Sequence, residues 1–245
     1  MPATVSASTA TYRDTGFLHL PGLIPAAEIA AVGAAIDELP RRHAALLDER
    51  NARFEFANGQ VWKWDPVTDL CPEIDTLAHD RRILDIVAEI YDGREPLLFK
   101  DKLILKPAGT RGNGLHQDWT WWQGFPKTLL TVTISIDAGT RENGCTEIHP
   151  GLHTRGLLHA PGELAFLPDE AVAGHEPHYF ESFPGDVAIF HCFTPHRAGE
   201  NRSAKPRRQL FLTYNDSADG DLYAAHYRHM LGYRKGDDAN GTYHR

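Results

Sequence analysis

The chain has 245 residues, of which 42% are hydrophobic, so it is long enough to bury a substantial core as one domain. Its formal net charge of −8, with no basic cluster interleaved with aromatic residues, argues against nucleic acid as a partner. The first residues lack the pattern of a secretory signal, and no run of about 18 apolar residues predicts a membrane span. Three widely spaced cysteines are typical of a reduced protein. We therefore expect a cytoplasmic protein.

The N-terminal part of the chain predicts helices that pack against a sheet. Residues 1–11 are small and polar, and we expect them to be weakly ordered. Apolar residues at helical spacing predict one helix that begins at Pro25 and ends at Pro40. A second helix is predicted after the N-cap residue Asp80, and it ends at Gly93.

The hydrophobic pattern changes to a period of two after Arg94. Strands are predicted at residues 97–106, 130–137, 145–149, 179–183, 186–191 and 209–215, and a last helix is predicted around His226 and His229. Short strands separated by turns that contain proline or glycine favour a sandwich or a barrel over a parallel sheet. No repeat and no domain boundary is evident, so we predict a single domain covering residues 1–245.

His116 and Asp118 form the clearest candidate metal-binding pair. Residues i and i+2 of a strand point to the same face, so both side chains could bind one ion. A third ligand from a distant strand would complete the 2-His-1-carboxylate set of non-haem Fe(II) oxygenases. The candidates are His196, which follows the strand predicted at residues 186–191, and its rival His191.

An ordered set of motifs resembles the phytanoyl-CoA dioxygenase family of Fe(II)- and 2-oxoglutarate-dependent oxygenases. The motifs are DTGFLHL at 14–20, HQD at 116–118, ENGCT at 142–146 with PGLH at 150–153, PGD at 184–186, and the segment from His196 to Arg208. The spacing of eleven residues between His196 and Arg207 (207 − 196) belongs to the same pattern. The resemblance implies a mainly β fold, a double-stranded β-helix (a cupin-like jelly roll) with flanking α-helices.

The resemblance also implies roles for individual residues. It favours His196 over His191, so that His116, Asp118 and His196 bind the iron and form the catalytic centre. Arg207 and Thr146 would bind the far carboxylate of 2-oxoglutarate, and Lys102 and Lys106 would contact the same co-substrate. By alternation alone, the lysine face of this strand is either exposed to solvent or part of an anion-binding cavity. Alternation also leaves open whether Arg207 or Arg208 points inward.

Three tryptophans, Trp119, Trp121 and Trp122, directly follow the metal-binding pair. They are either core residues or part of the substrate pocket. Residues 116–122 resemble the corresponding segment of ectoine hydroxylases, in which an aromatic residue six positions after the first ligand contacts substrate. That position is Trp122 here, so we predict that Trp122, with Trp119 and Trp121, binds substrate. The rest of the ectoine signature is missing, so ectoine itself is not implied.

We therefore predict a dioxygenase that uses Fe(II), 2-oxoglutarate and O2 to hydroxylate a C–H bond of a small polar molecule, releasing succinate and CO2. A natural-product intermediate, a zwitterion or an aminophosphonate would suit such a site. The carboxylate ligand Asp118 favours hydroxylation over halogenation, while desaturation and ring closure remain open. The alternatives are a cupin-like metal-dependent oxygenase that does not use 2-oxoglutarate, and a non-catalytic jelly-roll binding protein. The sequence does not determine the oligomeric state.

Overall fold

A computed structural model describes residues 5–48, 54–57, 60–163 and 165–234. The helices are α1 (Val5–Thr15), α2 (Ala26–Arg42), α3 (Ala44–Asp48), α4 (Pro72–Ala78), α5 (Arg81–Ile90) and α6 (Tyr223–Arg234). The strands are β1 (Phe17–Leu20), β2 (Phe54–Ala57), β3 (Gln60–Trp64), β4 (Pro96–Lys106), β5 (Asn113–His116), β6 (Leu130–Ser135), β7 (Thr146–Ile148), β8 (His178–Tyr179), β9 (Val187–His191), β10 (His196–Ala198) and β11 (Arg207–Asp216).

The strands form two antiparallel sheets that pack face to face. The large sheet has the order β1-β9-β6-β11-β4-β3-β2, and the small sheet has the order β5-β10-β7-β8. Side chains from both sheets meet between them: Ile148 of the small sheet packs with Phe17, Ala188 and Phe190 of the large sheet. This arrangement agrees with the predicted mainly β architecture.

The two faces of the large sheet differ in chemistry. Residues such as Leu210, Leu212 and Ile134 face outward, and they form the main core together with apolar side chains of α2, α4 and α5. The alternate residues, such as Gln209 and Thr213, face the small sheet and are also buried. The large sheet is therefore buried on both faces, and its inner face is polar; the space that this polar face lines between the sheets is called the cavity below.

The predicted helices are largely confirmed. Helix α5 begins after Asp80, whose carboxylate accepts a hydrogen bond of 2.8 Å from the backbone N–H of Arg82. The predicted end of α2 at Pro40 is wrong, because the helix runs on to Arg42. Proline lacks only its own donor, and the backbone N–H of His43 still bonds to the carbonyl of Leu39 at 3.0 Å. Residues 5–11, expected to be weakly ordered, lie in α1, and residues 1–4 are outside the described part.

The predicted strands are confirmed in place, with some changes in length. The strand predicted at residues 179–183 is reduced to His178–Tyr179, and Ser182 forms an isolated bridge with Gly139, which lies outside the named strands. The short strands β2 and β3 were not predicted. In the described part of the chain, no helix is long and apolar enough to cross a membrane.

Candidate active site

The structure brings three potential metal ligands together between the sheets. His116 ends β5, Asp118 follows two residues later, and His196 opens β10, which pairs with β5 so that His196 lies opposite His116. One ligand atom from each of the three residues lies within 4.8 Å of the others. The Nε2 atoms of His116 and His196 lie 3.8 Å and 3.7 Å from Oδ1 of Asp118. All three side chains are buried.

Hydrogen bonds orient these ligands toward one point. Nδ1 of His116 lies 2.7 Å from the carbonyl of Gly114, and Nδ1 of His196 lies 3.0 Å from the carbonyl of Thr194. Because each Nδ1–H donates to a carbonyl, each Nε2 keeps a lone pair for a metal. The hydroxyl of Thr131 donates to Oδ2 of Asp118 at 2.8 Å, which leaves Oδ1 facing the histidines.

The protonation states also suit a metal centre. Burial, together with the neighbouring His196, lowers the pKa of His116 and keeps its imidazole neutral. Burial alone would raise the pKa of Asp118, but the nearby imidazoles, Lys102 and the hydroxyl of Thr131 hold it below its usual range. Neutral imidazoles and an ionised carboxylate are the donor set of a non-haem Fe(II) site, so these residues fit the predicted metal.

The local backbone differs from the predicted strand in one respect. Strand β5 ends at His116, and Asp118 begins a 3-10 turn, Asp118–Trp121. Gln117, between them, keeps an extended backbone, so both side chains still point the same way. The rival residue His191 lies outside the metal-binding group. Its Nδ1 accepts a hydrogen bond of 3.1 Å from the backbone N–H of Phe193.

Two cations converge at the other end of the inner face. Arg207 and Lys106 are opposite each other on β11 and β4. Nη2 of Arg207 donates to the carbonyl of Gly144 at 3.1 Å, and Nζ of Lys106 lies 3.5 Å from the same oxygen and also donates to the carbonyl of Gly199. Burial lowers the pKa of Arg207 to about 10 and, with the charge of Arg207, the pKa of Lys106 to about 8.

The inner face of the large sheet carries buried donors without partners. In the described residues, Nε of Arg207, Nε2 of Gln209 and Oγ1 of Thr133 are buried and make no hydrogen bond. No described carboxylate lies within ion-pair distance of Arg207 or Lys106. Buried donors and cations are normally paired, so this set fits a carboxylate of the predicted co-substrate 2-oxoglutarate. The sequence did not single out Gln209 or Thr133, although Gln209 shares the i, i+2 alternation of Arg207.

Arg208 points the other way. Its guanidinium bonds to both carboxylate oxygens of Asp137 and to Asp37, at 2.7–2.9 Å, and to the carbonyl of Gly33. These partners lie on the helix side of the sheet. Of the two adjacent arginines, Arg207 is therefore the one that faces the cavity.

Thr146 lies close to the same end. It is buried on β7, two residues after Gly144, and it pairs with Ala198 of β10. The next residue on that face, Ile148, pairs with His196. Thr146 thus occupies the wall between the metal ligands and Arg207, and its contact with 2-oxoglutarate stays a prediction.

Lys102 lies between the metal ligands and the cation pair. On β4 it is opposite Phe211, and its Nζ lies 4.7 Å from the centre of that ring. Burial and the charge of Lys100 lower the pKa of Lys102 to about 8. Lys100 itself pairs with Asp65 at 3.3 Å, whereas Lys102 has no carboxylate partner among the described residues. Of the lysine face of this strand, Lys102 and Lys106 are therefore the two that can contribute an unbalanced positive charge to the cavity.

The three tryptophans have different surroundings. Trp119 and Trp122 are buried in an apolar cluster with Phe99 and Phe193, and the ring of Trp122 lies 5.4 Å from that of Phe99. Trp121 is partly exposed, and its ring lies 5.9 Å from that of Phe166. Contact between Trp122 and substrate stays a prediction, and its packing favours a structural role.

The loop after β7 forms an outer wall beside the metal ligands. Gln117 is fully buried and bonds to this loop: its amide donates to the carbonyl of Gly156 at 2.8 Å, and its oxygen accepts from the N–H of Leu158 at 2.7 Å. The same amide also donates to the carbonyl of Phe193, between β9 and β10, at 2.7 Å. Further along, the ring of Phe166 lies 6.0 Å from that of His116. Sequence patterns alone did not reveal this contact, which joins residues 50 positions apart (166 − 116).

Comparison with known proteins agrees with this geometry. A profile of the phytanoyl-CoA dioxygenase family matches residues 12–209. The methylphosphonate hydroxylase of Gimesia maris is 38% identical over 55% of this chain and 51% of that protein, so this match spans about half its length. The 2-aminoethylphosphonate dioxygenase of an uncultured bacterium is 31% identical over 86% of this chain and 81% of that protein.

A solved structure shows the same fold. EctD from S. alaskensis, crystallised with 2-oxoglutarate and 5-hydroxyectoine, superposes with a TM-score of 0.75 over 89% of this chain and 78% of that chain, at 22% identity. The predicted double-stranded β-helix with flanking helices is confirmed by this likeness. On the profile match and the full-length relative, the chain belongs to the phytanoyl-CoA dioxygenase family of Fe(II)- and 2-oxoglutarate-dependent oxygenases.

Proposed function

We propose that this dioxygenase hydroxylates a C–H bond of a small phosphonate, with 2-oxoglutarate and O2 as co-substrates and succinate and CO2 as by-products. His116, Asp118 and His196 would hold the iron, which activates O2 when bound. Arg207, with Lys106, Gln209, Thr133 and Thr146, would hold the far carboxylate of 2-oxoglutarate. These residues bind and orient the iron and 2-oxoglutarate. The proposed substrate class rests on the charge of the cavity.

The charge of the inner face is the observation that carries this proposal. Lys102, Lys106 and Arg207 contribute one positive charge each, and none of them has a carboxylate partner among the described residues. Fe(II) carries two positive charges and its ligand Asp118 one negative charge, so together they add one more. The total is four positive charges. The dianion of 2-oxoglutarate neutralises two of these. Because unpaired buried charges are costly, the two that remain favour a substrate with negative charge, and a phosphonate dianion would balance them.

The lowered pKa values of Lys102 and Lys106 support the same interpretation. Both lie at about 8, because burial and neighbouring cations disfavour the charged amines. Each anion that enters the cavity relieves this repulsion. Two relatives, a methylphosphonate hydroxylase and a 2-aminoethylphosphonate dioxygenase, support a phosphonate as the anionic substrate. A neutral zwitterion such as ectoine would leave the two charges unbalanced.

Succinate formation with a matched set of substrates tests the proposal. The purified protein is incubated with Fe(II), 2-oxoglutarate and O2, and with methylphosphonate, 2-aminoethylphosphonate or ectoine. We expect a phosphonate to stimulate succinate formation and to yield an equal amount of hydroxylated product, while ectoine does neither. Stimulation by ectoine with no response to either phosphonate would reject the proposal.

The variant Lys102→Met tests the charge argument directly. It should raise the KM for 2-oxoglutarate or the KM for the phosphonate, since the cavity loses one positive charge. Lys100→Met is the matched control, because Lys100 is already paired with Asp65. A KM effect confined to 2-oxoglutarate would support the predicted co-substrate role of Lys102, and one confined to phosphonate would assign it to the substrate.

A further inference from the structure

Gln117 lies between two of the proposed metal ligands, and its side chain points away from them. Its backbone is extended, with φ of −111° and ψ of 131°, so its side chain lies on the face opposite to His116 and Asp118. The residue is fully buried, although glutamine is usually exposed. The partners of this buried amide therefore indicate what it does.

Both N–H groups and the oxygen of the amide have partners. Nε2 donates to the carbonyls of Phe193 and Gly156, at 2.7 Å and 2.8 Å, and Oε1 accepts from the backbone N–H of Leu158 at 2.7 Å. These backbone groups belong to two segments that are distant in sequence, the turn after β9 and the loop after β7. One side chain therefore ties the segment of His116 and Asp118 to both of them.

The turn at residues 192–195 carries the third proposed ligand. It leads from the end of β9 to His196, the first residue of β10. The carbonyl of Thr194 accepts the hydrogen bond from Nδ1 of His196, at 3.0 Å, that orients this imidazole. Phe193, whose carbonyl is bound by Gln117, directly precedes Thr194. A shift of the backbone at Phe193 would therefore move the carbonyl that orients His196.

Two backbone links join the same ligand segments on either side of the Gln117 bond. His116 pairs with His196, and the N–H of Trp119 donates to the carbonyl of Cys192 at 3.1 Å. The amide bond lies between these links and is buried. If the amide were removed, the carbonyl of Phe193 would lose this donor, and a buried carbonyl must then be paired again or stay unpaired at a cost. Re-pairing would require the turn to move.

We infer that Gln117 is a positioning residue for the iron site. It fixes the segment of His116 and Asp118 relative to His196, and it attaches the loop beside the site to both. This inference rests on the iron ligands assigned in the proposed function, and not on its substrate. Groups that orient metal ligands from outside typically contribute roughly ten- to hundredfold to metal affinity or activity. Gln117 acts through backbone groups, so we expect the lower end of this range.

Gln117→Met removes these hydrogen bonds and keeps the length of the side chain. Gln123→Met is the matched control, because the amide of Gln123 bonds to the same loop: it donates to the carbonyl of Glu163 at 2.8 Å and accepts from the N–H of Gly162 at 2.6 Å. Within the described chain, none of the hydrogen bonds of Gln123 reaches the turn that carries His196. The control therefore loosens the loop without affecting that turn.

Anaerobic titration with Fe(II) measures the metal affinity. The visible absorption of Co(II), bound at saturation in place of Fe(II), reports the coordination geometry, which a loss of stability alone would not change. Gln117→Met should bind Fe(II) about tenfold more weakly than the wild-type protein and show a changed Co(II) spectrum. Gln123→Met should match the wild-type protein in both. Gln117→Asn, which keeps the amide on a shorter stem, should change both in the same direction, and it replaces Gln117→Met if that variant does not fold.

His196→Ala separates the possible failures. If it binds Fe(II) as tightly as the wild-type protein, the ligand assignment of the proposed function is wrong, and the positioning role is rejected with it. If it loses metal binding while Gln117→Met keeps the wild-type affinity and spectrum, the ligands stand and the positioning role is rejected. Equal weakening in Gln117→Met and Gln123→Met would assign the effect to the loop and reject the role. Failure of both Gln117 variants to fold would make Gln117 a core residue, with the same consequence.

Discussion

Replacing Arg207 with methionine separates the role of this residue in binding from its role in folding. Arg207 is 4% exposed, and in the described residues it has two acceptors, the carbonyl of Gly144 and the side-chain oxygen of Gln209, but no carboxylate. Methionine keeps most of the apolar stem and removes the charge. The variant should therefore fold and lose much of its affinity for 2-oxoglutarate.

Two magnitudes follow from the structure. Hydrogen bonds to a charged group contribute about 1.5–3 kcal/mol, so the loss of the guanidinium should raise the dissociation constant of 2-oxoglutarate roughly ten- to 150-fold. Burial lowers the pKa of Arg207 to about 10, well below its usual range, which corresponds to about 3 kcal/mol against the charged form. At pH 7 the group is charged in both the folded and the unfolded protein, so this cost applies in full. Methionine removes this cost together with the hydrogen bonds of the guanidinium. The two effects offset each other, so the free energy of unfolding of the ligand-free protein should change little.

Arg208→Met is the matched control and should show the opposite profile. Arg208 bonds to Asp137 and Asp37 on the outer face of the large sheet, away from the cavity. Its replacement should lower the free energy of unfolding by about 1–3 kcal/mol, because the partly buried carboxylate of Asp137 loses its partner. Affinity for 2-oxoglutarate should stay close to that of the wild-type protein.

Anaerobic titration of the Fe(II)-loaded variants with 2-oxoglutarate, together with denaturant unfolding of the ligand-free proteins, measures both quantities. Equal losses of affinity in the two variants would show that Arg207 does not bind the co-substrate directly. A loss of stability in Arg207→Met as large as that in Arg208→Met would show that the cavity already compensates the charge of Arg207.

Three further predictions concern the metal ligands and the co-substrate. Replacing any one residue of the triad with alanine should abolish iron-dependent succinate formation, while His191→Ala should keep it; loss of iron in His191→Ala would contradict the assignment. Thr131→Val should weaken Fe(II) binding about tenfold, because Asp118 loses its orienting donor, whereas Thr133→Val should weaken 2-oxoglutarate binding and leave Fe(II) binding unchanged; metal titration distinguishes them. Because the pKa of Lys106 is about 8, its side chain carries a positive charge below that pH and loses it above. The dissociation constant of 2-oxoglutarate should therefore rise between pH 7 and 9.5, and it should rise less steeply in Lys106→Met.

Much of the fold and of the metal site was accessible from sequence because the signals are local. Helix α5 has its N-cap residue and apolar stripe within one short segment, and the long strands β4 and β11 alternate in the expected way. The metal ligands have donor types that suit iron, and their order and spacing match a family pattern. Short elements such as β2, β3 and β8 were missed or misplaced, because a few residues carry too little periodicity to be distinguished from turns.

The sequence by itself determined which residue types could form the site: two histidines, a carboxylate, a lysine face and a pair of adjacent arginines. Only the tertiary structure decided which face of each strand looks into the cavity, because alternation defines two faces without saying which one meets the second sheet. Because Arg208 bonds to partners on the outer face, Arg207 points inward. Trp121, the last residue of a 3-10 turn, is partly exposed, whereas Trp122, which directly follows the turn, is buried. The contact between Phe166 and His116 depends on a backbone bond between Leu167 and β5, and such long-range pairing leaves no mark on the local sequence.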